Sequence, residues 1–462
     1  MRMFSQEVYK ARREKLKAAM KSGVCIFMGN NEAPMNYPDN CYQFRQDSTF
    51  LYFFGIAQAG LKAIIDVDNN RDIIFGDELT VDDIVWMGEV ASIKELAARC
   101  GVVDVRPAAE FEKYVRAAKA EVHFLPPYRH DNMIFLSSVL NIPIPELQKR
   151  SSLPLVKAVV ALRNVKEACE IEELKAAAEI GYEMHTTAMK MANDGVSEHE
   201  IYGTIEGISL KHGLLTSFHS IVSKNGQILH NHTHENILHT GDLLLNDSGA
   251  QTDMGYASDN TRTFPVGGKF SQRQKDVYQI VLNTINGSIP MMKPGETYLS
   301  IHLKACEILA EGLKALGLMK GDMKEAVQLG AHAMFMPHGL GHMMGLDVHD
   351  MEDLGQINVG YDEEVQPIKI FGVASLRMGK RLQVGNVLTN EPGIYFVPQL
   401  IDIWEREHKF EQFINYAEVD KYRDFGGIRL EDDILITPTG SRIVGDRRIP
   451  IEINDVEQYM NI

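Results

Sequence analysis

The sequence predicts an α/β domain followed by a larger α+β domain. Its 462 residues exceed one hydrophobic core, since a domain usually holds about 100–200 residues. Short strands first alternate with helices, whereas long helices and strands then come in blocks. Prolines at 143, 145 and 154 punctuate the polar stretch between the two patterns. We therefore assign residues 1–155 to the first domain and 156–462 to the second.

In the first domain, apolar segments of strand length alternate with segments of helical periodicity. Helices are predicted at Gln6–Met20, Val81–Met87 and 92–98, and strands at Val24–Met28, 49–54, 62–67 and 72–75. Turn-forming residues at 68–71 predict that the last two strands form a hairpin.

The second domain is marked by long helices with capping residues. Apolar residues at three- and four-residue steps predict a helix over 166–192. Ser271 and Gln274 form a capping-box pair at the start of another helix, and Thr297 caps a third, which Gly317 ends. Strands are predicted at 221–222, 243–246, 262–264, Val387–Asn390, 393–396 and 428–430.

Charge and cysteine usage limit the partners and the compartment. The chain has 47 Lys and Arg against 63 Asp and Glu, a net charge of −16. Nucleic acids and anionic membranes bind basic surfaces, so neither is expected as a partner. The amino terminus has no apolar signal segment, and the five scattered cysteines lack CxxC spacing. The sequence therefore predicts a cytoplasmic protein with reduced cysteines.

Acidic residues stand at the ends of predicted strands. Asp247 follows one strand, Asp259 precedes the next, and Glu391 comes directly after a third. Alternation along the last predicted strand places Arg429 and Glu431 on one face. Any one of these aspartates, taken alone, would be expected to cap a turn. A buried carboxylate, however, requires a partner, so the acidic side chains are expected to lie around a common partner.

Three histidines, His338, His342 and His349, lie in a glycine-rich segment. His338 and His342 are four residues apart, but Gly339 and Gly341 argue against a helix. The glycines indicate instead a backbone that closely approaches a ligand or metal. With the carboxylates, the histidines make an oxygen-rich and thiolate-poor donor set. Such a set suits a pair of hard divalent cations such as Mn²⁺ better than a structural zinc.

The order of these motifs resembles that of the pita-bread metallopeptidases, and within them that of the Xaa-Pro peptidases, aminopeptidase P and prolidase. The motifs are Leu229-His230, Asp247-Ser248-Gly249, residues 258–264, 338–342 and 347–350, Glu391-Pro392-Gly393 and residues 429–433. Residues 44–55 resemble the amino-terminal domain of the same enzymes. The resemblance implies a pita-bread catalytic domain behind a smaller α/β domain of the aminopeptidase P type.

The resemblance also implies two divalent metal ions, with manganese expected first and cobalt or zinc as alternatives. Asp247 would bind one ion, and His342 and Glu391 would bind the other. Asp259 and Glu431 would bridge the two. A water between the ions would be the nucleophile, and Glu391 would accept its proton.

Further histidines and two arginines complete the implied site. His230 and His349 would hold the substrate and stabilise the developing oxyanion, and His338 would shape the proline subsite. Arg429 would steady a bridging carboxylate. Arg377 matches an arginine that in prolidase grips the free carboxylate of a dipeptide.

The implied activity is that of a Xaa-Pro aminopeptidase, whose substrates are peptides with proline at the second position. Prolidase, the Xaa-Pro dipeptidase, is the alternative, and a pita-bread protein that binds peptides without cleaving them is a third. Trp86 lies in a segment resembling one that can reach a neighbouring subunit, so we expect a homodimer or larger homo-oligomer.

The chain departs from the family pattern in two places. Asp247 and Asp259 are 12 residues apart (259 − 247), one more than the spacing typical of the family. His232, His234 and His239 lack counterparts there, and the first two alternate with His230 on a predicted strand face. They would be solvated side chains or an adventitious metal site, of which we favour the first.

Overall fold

A computed structural model gives the fold of residues 2–88 and 91–461. Contacts divide the chain into two units, Met1–Arg163 with Met351–Asn358, and Asn164–Asp350 with Val359–Ile462. The domain boundary between residues 155 and 156 stays a prediction. None of the helices in the described ranges combines the length and apolar character that a membrane span requires.

A mixed sheet organises the first unit. The strands are β1 (Val24–Met28), β2 (Lys62–Asp66), β3 (Arg71–Phe75), β4 (Asp104–Arg106) and β5 (Val122–Phe124). The helices up to residue 164 are α1 (Gln6–Met20), α2 (Ser48–Phe54), α3 (Val81–Met87), α4 (Ile93–Arg99), α5 (Glu110–Ala117), α6 (His130–Leu140), α7 (Ile144–Leu147) and α8 (Leu153–Asn164). The strand order is β4-β3-β2-β1-β5. The predicted hairpin is confirmed, because β2 and β3 pair antiparallel with Asp66 opposite Arg71.

The strand predicted at 49–54 is wrong, since these residues form helix α2. Asp47 caps that helix, because its Oδ1 accepts a hydrogen bond of 2.7 Å from the amide of Phe50. Gly55 ends it with a left-handed φ of 68°. All residues of α2 are buried, so the run of apolar side chains has no polar face to distinguish a helix from a strand.

The second unit combines long helices with three small sheets. The strands are β6 (Ile221–Ser223), β7 (Leu243–Ser248), β8 (Asn260–Pro265), β9 (Val387–Asn390), β10 (Gly393–Tyr395), β11 (Gly427–Arg429), β12 (Asp432–Thr437) and β13 (Gly440–Ile443). The helices are α9 (Ala168–Met191), α10 (Glu198–His212), α11 (Gln272–Ser288), α12 (Tyr298–Ala315), α13 (Met323–Leu329), α14 (Gln356–Gly360), α15 (Pro398–Arg406), α16 (Tyr416–Val419) and α17 (Ile453–Met460). Short 3₁₀ helices lie at Ile289–Met291, Ala331–Met334, Val373–Ser375 and Asp420–Tyr422, whereas the 3₁₀ helix Glu352–Leu354 and most of α14 belong to the first unit. The sheets have the orders β6-β7-β8, β13-β12-β9 and β10-β11.

The predicted helix starts of this unit are confirmed. Ser271 and Gln274 form the capping box of α11, and the Thr297 side chain accepts from the amide of Ser300 at the start of α12. Gly317 follows α12 with a φ of 76°. Both helices therefore begin where their polar capping residues interrupt the apolar pattern.

A buried histidine of α9 fixes the end of β7. His185 is fully buried. Its Nε2 lies 3.1 Å from the carbonyl oxygen of Ser248, and its Nδ1 lies 3.1 Å from Nδ2 of Asn246. One neutral tautomer satisfies both contacts, with Nε2 donating and Nδ1 accepting. Burial, assisted by the charge of Arg262, lowers the pKa of His185 to about 3. The two contacts flank Asp247 on either side along the strand.

The unfolding free energy is expected to fall in acid partly through His185. Because its folded pKa of about 3 lies below the ordinary value of 6.5, the unfolded state binds the extra proton. Its contribution is complete above pH 6.5 and is lost as the pH falls toward 3. Urea unfolding at several pH values gives the slope of the unfolding free energy against pH. In His185→Gln this slope should be smaller than in wild type by up to about 1.4 kcal/mol per pH unit. Equal slopes in wild type and His185→Gln would contradict this assignment.

Candidate metal centre

The ends of neighbouring strands bring the acidic residues together. Asp247 near the end of β7 pairs with Thr261 of β8, whose first residue follows Asp259. Glu431 lies between β11 and β12, and its amide donates to the carbonyl oxygen of Thr261 at 3.0 Å. Glu391 follows β9, which pairs with β12. Four carboxylates from distant parts of the sequence therefore meet at one place.

His342 lies among these carboxylates. Its Nε2 is 3.4 Å from Oδ2 of Asp259 and 3.6 Å from Oε1 of Glu391. Asp259, His342 and Glu431 can each offer a ligand atom, and these atoms lie within 4.8 Å of one another. The charge of Asp247 raises the pKa of both Asp259 and Glu431, so it belongs to the same group. The structure thus brings together all five residues for which metal binding was predicted.

Burial and mutual repulsion oppose the ionisation of two carboxylates of the cluster, Asp259 and Glu431. Burial, followed by the charge of Asp247, raises the pKa of Asp259 well above its usual value. Burial and the charge of Asp259 do the same for Glu431. For Glu391 burial also favours the neutral acid, but His342, His338 and Arg429 outweigh it and lower the pKa. Glu391 is therefore more readily ionised than Asp259 or Glu431 in the absence of a cation.

Two oxygens of the cluster lack a protein partner. Oδ1 of Asp247 and Oδ1 of Asp259 are buried and accept no hydrogen bond from the residues that the structure describes. A buried polar atom without a partner costs about 1–3 kcal/mol. Cations held between these oxygens and the imidazole of His342 would satisfy them. The donor set therefore fits hard divalent ions.

Three further histidines surround the cluster. The ring of His349 lies 3.9 Å from that of His342, centroid to centroid. Nδ1 of His338 is 3.9 Å from Oε2 of Glu391. His230 is exposed at the edge, where partial burial and the charge of Arg429 lower its pKa. Imidazoles therefore approach the carboxylates from several sides.

Arg377 lies close to the site without entering the carboxylate cluster. It is half-buried, and its charge contributes to the lowered pKa of His230. Arg377 and His230 are therefore electrostatically coupled.

The alternating strand face predicted for His230, His232 and His234 is wrong, because their segment forms a turn and irregular loop. His232 is exposed, whereas His234 is buried, stacks on the ring of Tyr202 at 4.1 Å, and has Nδ1 3.1 Å from the Val222 carbonyl oxygen. His239 is exposed, with Nδ1 3.7 Å from Oδ1 of Asp194. Within the described ranges, none of the candidate metal-binding clusters includes His232, His234 or His239.

The pattern of the sequence did not reveal three residues that organise the cluster. Thr261 Oγ1 donates to Glu431 Oε2 at 2.7 Å and lies 3.1 Å from Nε of Arg429. The hydroxyl of Tyr395 lies 2.9 Å from both Arg429 Nη1 and His338 Nε2. Asp433 accepts from the amide of Asp259 at 3.0 Å. Of the three, only Thr261 could have been found from the sequence, because alternation places it on the same strand face as Asp259, two residues earlier.

A unit that gathers four carboxylates and an imidazole in this way has the features of a metal-dependent hydrolase. Comparison with known proteins identifies the family. The model of metallopeptidase family M24 matches residues 172–438, and the model of the aminopeptidase P amino-terminal domain matches residues 9–124. The chain belongs to metallopeptidase family M24 and is a hydrolase. The predicted fold, an amino-terminal domain of the aminopeptidase P type before a pita-bread domain, is confirmed.

Relatives match over nearly the whole chain. The Xaa-Pro dipeptidase of Homo sapiens is 31% identical over 458 residues, which cover 97% of this chain and 91% of that protein. A probable Xaa-Pro aminopeptidase of Fusarium vanettenii is 31% identical over 421 residues, which cover 90% of this chain and 88% of that protein. Proline aminopeptidase P II from Yersinia pestis superposes with a TM-score of 0.81 at 30% identity, covering 99% of this chain and 100% of that structure. Zinc-substituted E. coli aminopeptidase P in complex with product gives a TM-score of 0.81 at 28% identity, and the superposition covers 100% of this chain and 99% of that structure.

Proposed function

We propose that the chain is a Xaa-Pro aminopeptidase, which hydrolyses the bond between an amino-terminal residue and a following proline. The observation that carries this proposal is the buried group of Asp247, Asp259, His342, Glu391 and Glu431, with its two unpartnered carboxylate oxygens. The similarity of the whole chain to aminopeptidase P structures supports the choice of substrate. A cytoplasmic location and a homodimer or larger homo-oligomer stay predictions from the sequence.

The five donors would hold two divalent ions. Asp247 would bind one ion, His342 and Glu391 the other, and Asp259 and Glu431 both. We expect manganese, with cobalt and zinc as alternatives that the same oxygen and nitrogen donors accept. When bound, such a pair supplies a water of lowered pKa and polarises the scissile carbonyl.

The chain's own residues would orient the substrate and move the proton. Glu391 would accept a proton from the attacking water. His349 and His230 would donate hydrogen bonds to the oxyanion as it develops. The hydroxyl of Tyr395 positions His338, which would border the proline ring. Arg429 binds Oδ2 of Asp247 rather than a bridging carboxylate, and it is linked to Glu431 through the hydroxyl of Thr261.

Prolidase activity is the second candidate, and Arg377 is the observation that favours it. Its guanidinium lies near His230, where it could bind the free carboxylate of a dipeptide. The human Xaa-Pro dipeptidase is as similar in sequence as the fungal aminopeptidase. The two activities differ in the length of the preferred substrate, so kinetics separate them.

We expect wild type to cleave Xaa-Pro tripeptides with a higher kcat/KM than Xaa-Pro dipeptides. Arg377→Ala should then leave the tripeptide value within about threefold, because the carboxylate of a tripeptide lies one residue beyond that of a dipeptide. Arg381→Ala is the matched control, since Arg381 pairs with Glu364 at the surface. A preference for dipeptides that Arg377→Ala reduces by about tenfold or more would instead establish the dipeptidase.

A further inference from the structure

A second group of metal-binding side chains lies away from the carboxylate cluster. His302 and Cys306 are one turn apart on α12, and His332 belongs to the 3₁₀ helix Ala331–Met334. Their donor atoms lie within 4.8 Å of one another. Sγ of Cys306 is 3.7 Å from Nε2 and 3.9 Å from Nδ1 of His302. All three side chains are completely buried.

The histidine from the 3₁₀ helix is left unsatisfied by the protein. Neither Nδ1 nor Nε2 of His332 has a hydrogen-bond partner among the described residues. Burial lowers the pKa of His332 to about 4 and, with the charge of His332, that of His302 to about 3. Both imidazoles are therefore neutral at physiological pH, which is the form that binds metals. Two neutral nitrogens and a thiol thus face one another in an apolar interior.

We propose that His302, Cys306 and His332 form a second cation site that takes a soft d¹⁰ ion, Cu(I). A thiolate donor favours soft cations such as Cu(I), and imidazole also binds copper, whereas the carboxylates of the first cluster favour hard ions. A monovalent ion bound to one thiolate and two neutral imidazoles has no net charge, which keeps the cost of burial low. A divalent ion would leave one uncompensated positive charge, because the group contains no carboxylate. On binding, the Cys306 thiol releases its proton to solvent and its sulfur coordinates the ion.

Three donors also suit Cu(I) better than zinc. Structural zinc almost always has four protein ligands in a tetrahedral arrangement. The present group offers two nitrogens and one sulfur within the described part of the chain. Three-coordinate N₂S ligation therefore agrees with both the charge and the number of donors.

An ion at this site would tie α12 to the segment that leads to the carboxylate cluster. Tyr298, one turn before His302, donates its hydroxyl to the carbonyl oxygen of Thr389 at 2.6 Å. His338 follows His332 by six residues and contacts Glu391. We therefore expect the ion to act on stability rather than on the chemical step.

The test measures copper and zinc in the full-length protein purified from cells grown with either metal added. About one copper per chain, in excess of the ions of the peptidase centre, and a raised Tm are expected for wild type. Cys306→Ala should lose this copper and the rise in Tm, while buried Cys100→Ala should keep both. X-ray absorption should give one sulfur and two nitrogens around the copper.

Other outcomes overturn the proposal. If purified wild type contains no copper beyond the ions of the peptidase centre, the group is only a buried contact between a thiol and imidazoles. Zinc in place of copper, or copper that Cys306→Ala retains, would overturn the assignment of the ion or of the site. If Cys306→Ala does not fold, His332→Gln and the absorption spectrum of wild type decide the question, because neither depends on that variant.

Discussion

Glu391→Gln is expected to lower kcat for Xaa-Pro cleavage by about 10²- to 10⁴-fold, the range typical of a lost general base. The amide cannot accept a proton, and it removes one negative charge from the group that faces His342. The lowered pKa of Glu391 means that its carboxylate is in the basic form at neutral pH. Steady-state kinetics with Mn²⁺ on a Xaa-Pro tripeptide measure the effect.

Metal content separates the two roles of Glu391. A variant that keeps its ions but loses turnover would identify Glu391 chiefly as the proton acceptor, whereas a variant that also loses ions would identify it as a ligand. Exposed Glu311→Gln controls for the substitution itself and should keep wild-type kcat. Glu391→Gln with activity within about tenfold of wild type would refute the proposed mechanism.

The candidate centre could be predicted because acidic residues stand at the ends of predicted strands. Asp247 and Glu391 follow apolar runs, Asp259 precedes a strand, and burial requires a partner for each. The glycines around His342 were expected to let the backbone approach a ligand or metal. The close approach at Gly341 is instead to the protein, since a Cβ there would collide with the carbonyl oxygen of Thr389.

Long-range partners left no local pattern in the sequence. Tyr395 and Arg429 are 34 residues apart, and their contact depends on the pairing of β10 with β11. Periodicity describes which face a residue occupies and not which strand lies beside it. Helix α2 escaped prediction for a related reason, because its apolar run carries no periodicity and its cap at Asp47 decides the outcome.

The acidic triplet 431–433 marks the limit of the alternation rule. Alternation placed Glu431 inward, as the structure has it, yet Asp432 and Asp433 are also buried, with exposures of 1% and 3%. Asp432 accepts from Arg262 at 2.7 Å, and Asp433 accepts from the amide of Asp259 at 3.0 Å. Both faces of the strand are covered here, so a partner on each side replaces solvent.

Arg429→Met is expected to have the largest effect on stability. Arg429 is buried among the carboxylates, and its Nη2, Nη1 and Nε contact Asp247, Tyr395 and Thr261. Removing one partner of a buried ion pair costs about 3–5 kcal/mol, because the remaining charge stays without compensation. The loss should appear as a lower urea midpoint in the metal-free protein, and Mn²⁺ affinity should fall about 10- to 100-fold.

The charge and the geometry of Arg429 can be distinguished. Arg429→Lys keeps a cation but cannot make three directed contacts, so it should recover part of the stability and little of the metal affinity. Excess Mn²⁺ should raise the Tm of Arg429→Met, since ions that bind only the folded state stabilise it by mass action. Arg447→Met is the control, because Arg447 pairs with Glu179 at the surface and should contribute no more than about 1 kcal/mol. Equal stability of Arg429→Met and Arg447→Met would mean that Arg429 does not compensate the carboxylates, and that bound ions alone hold the centre together.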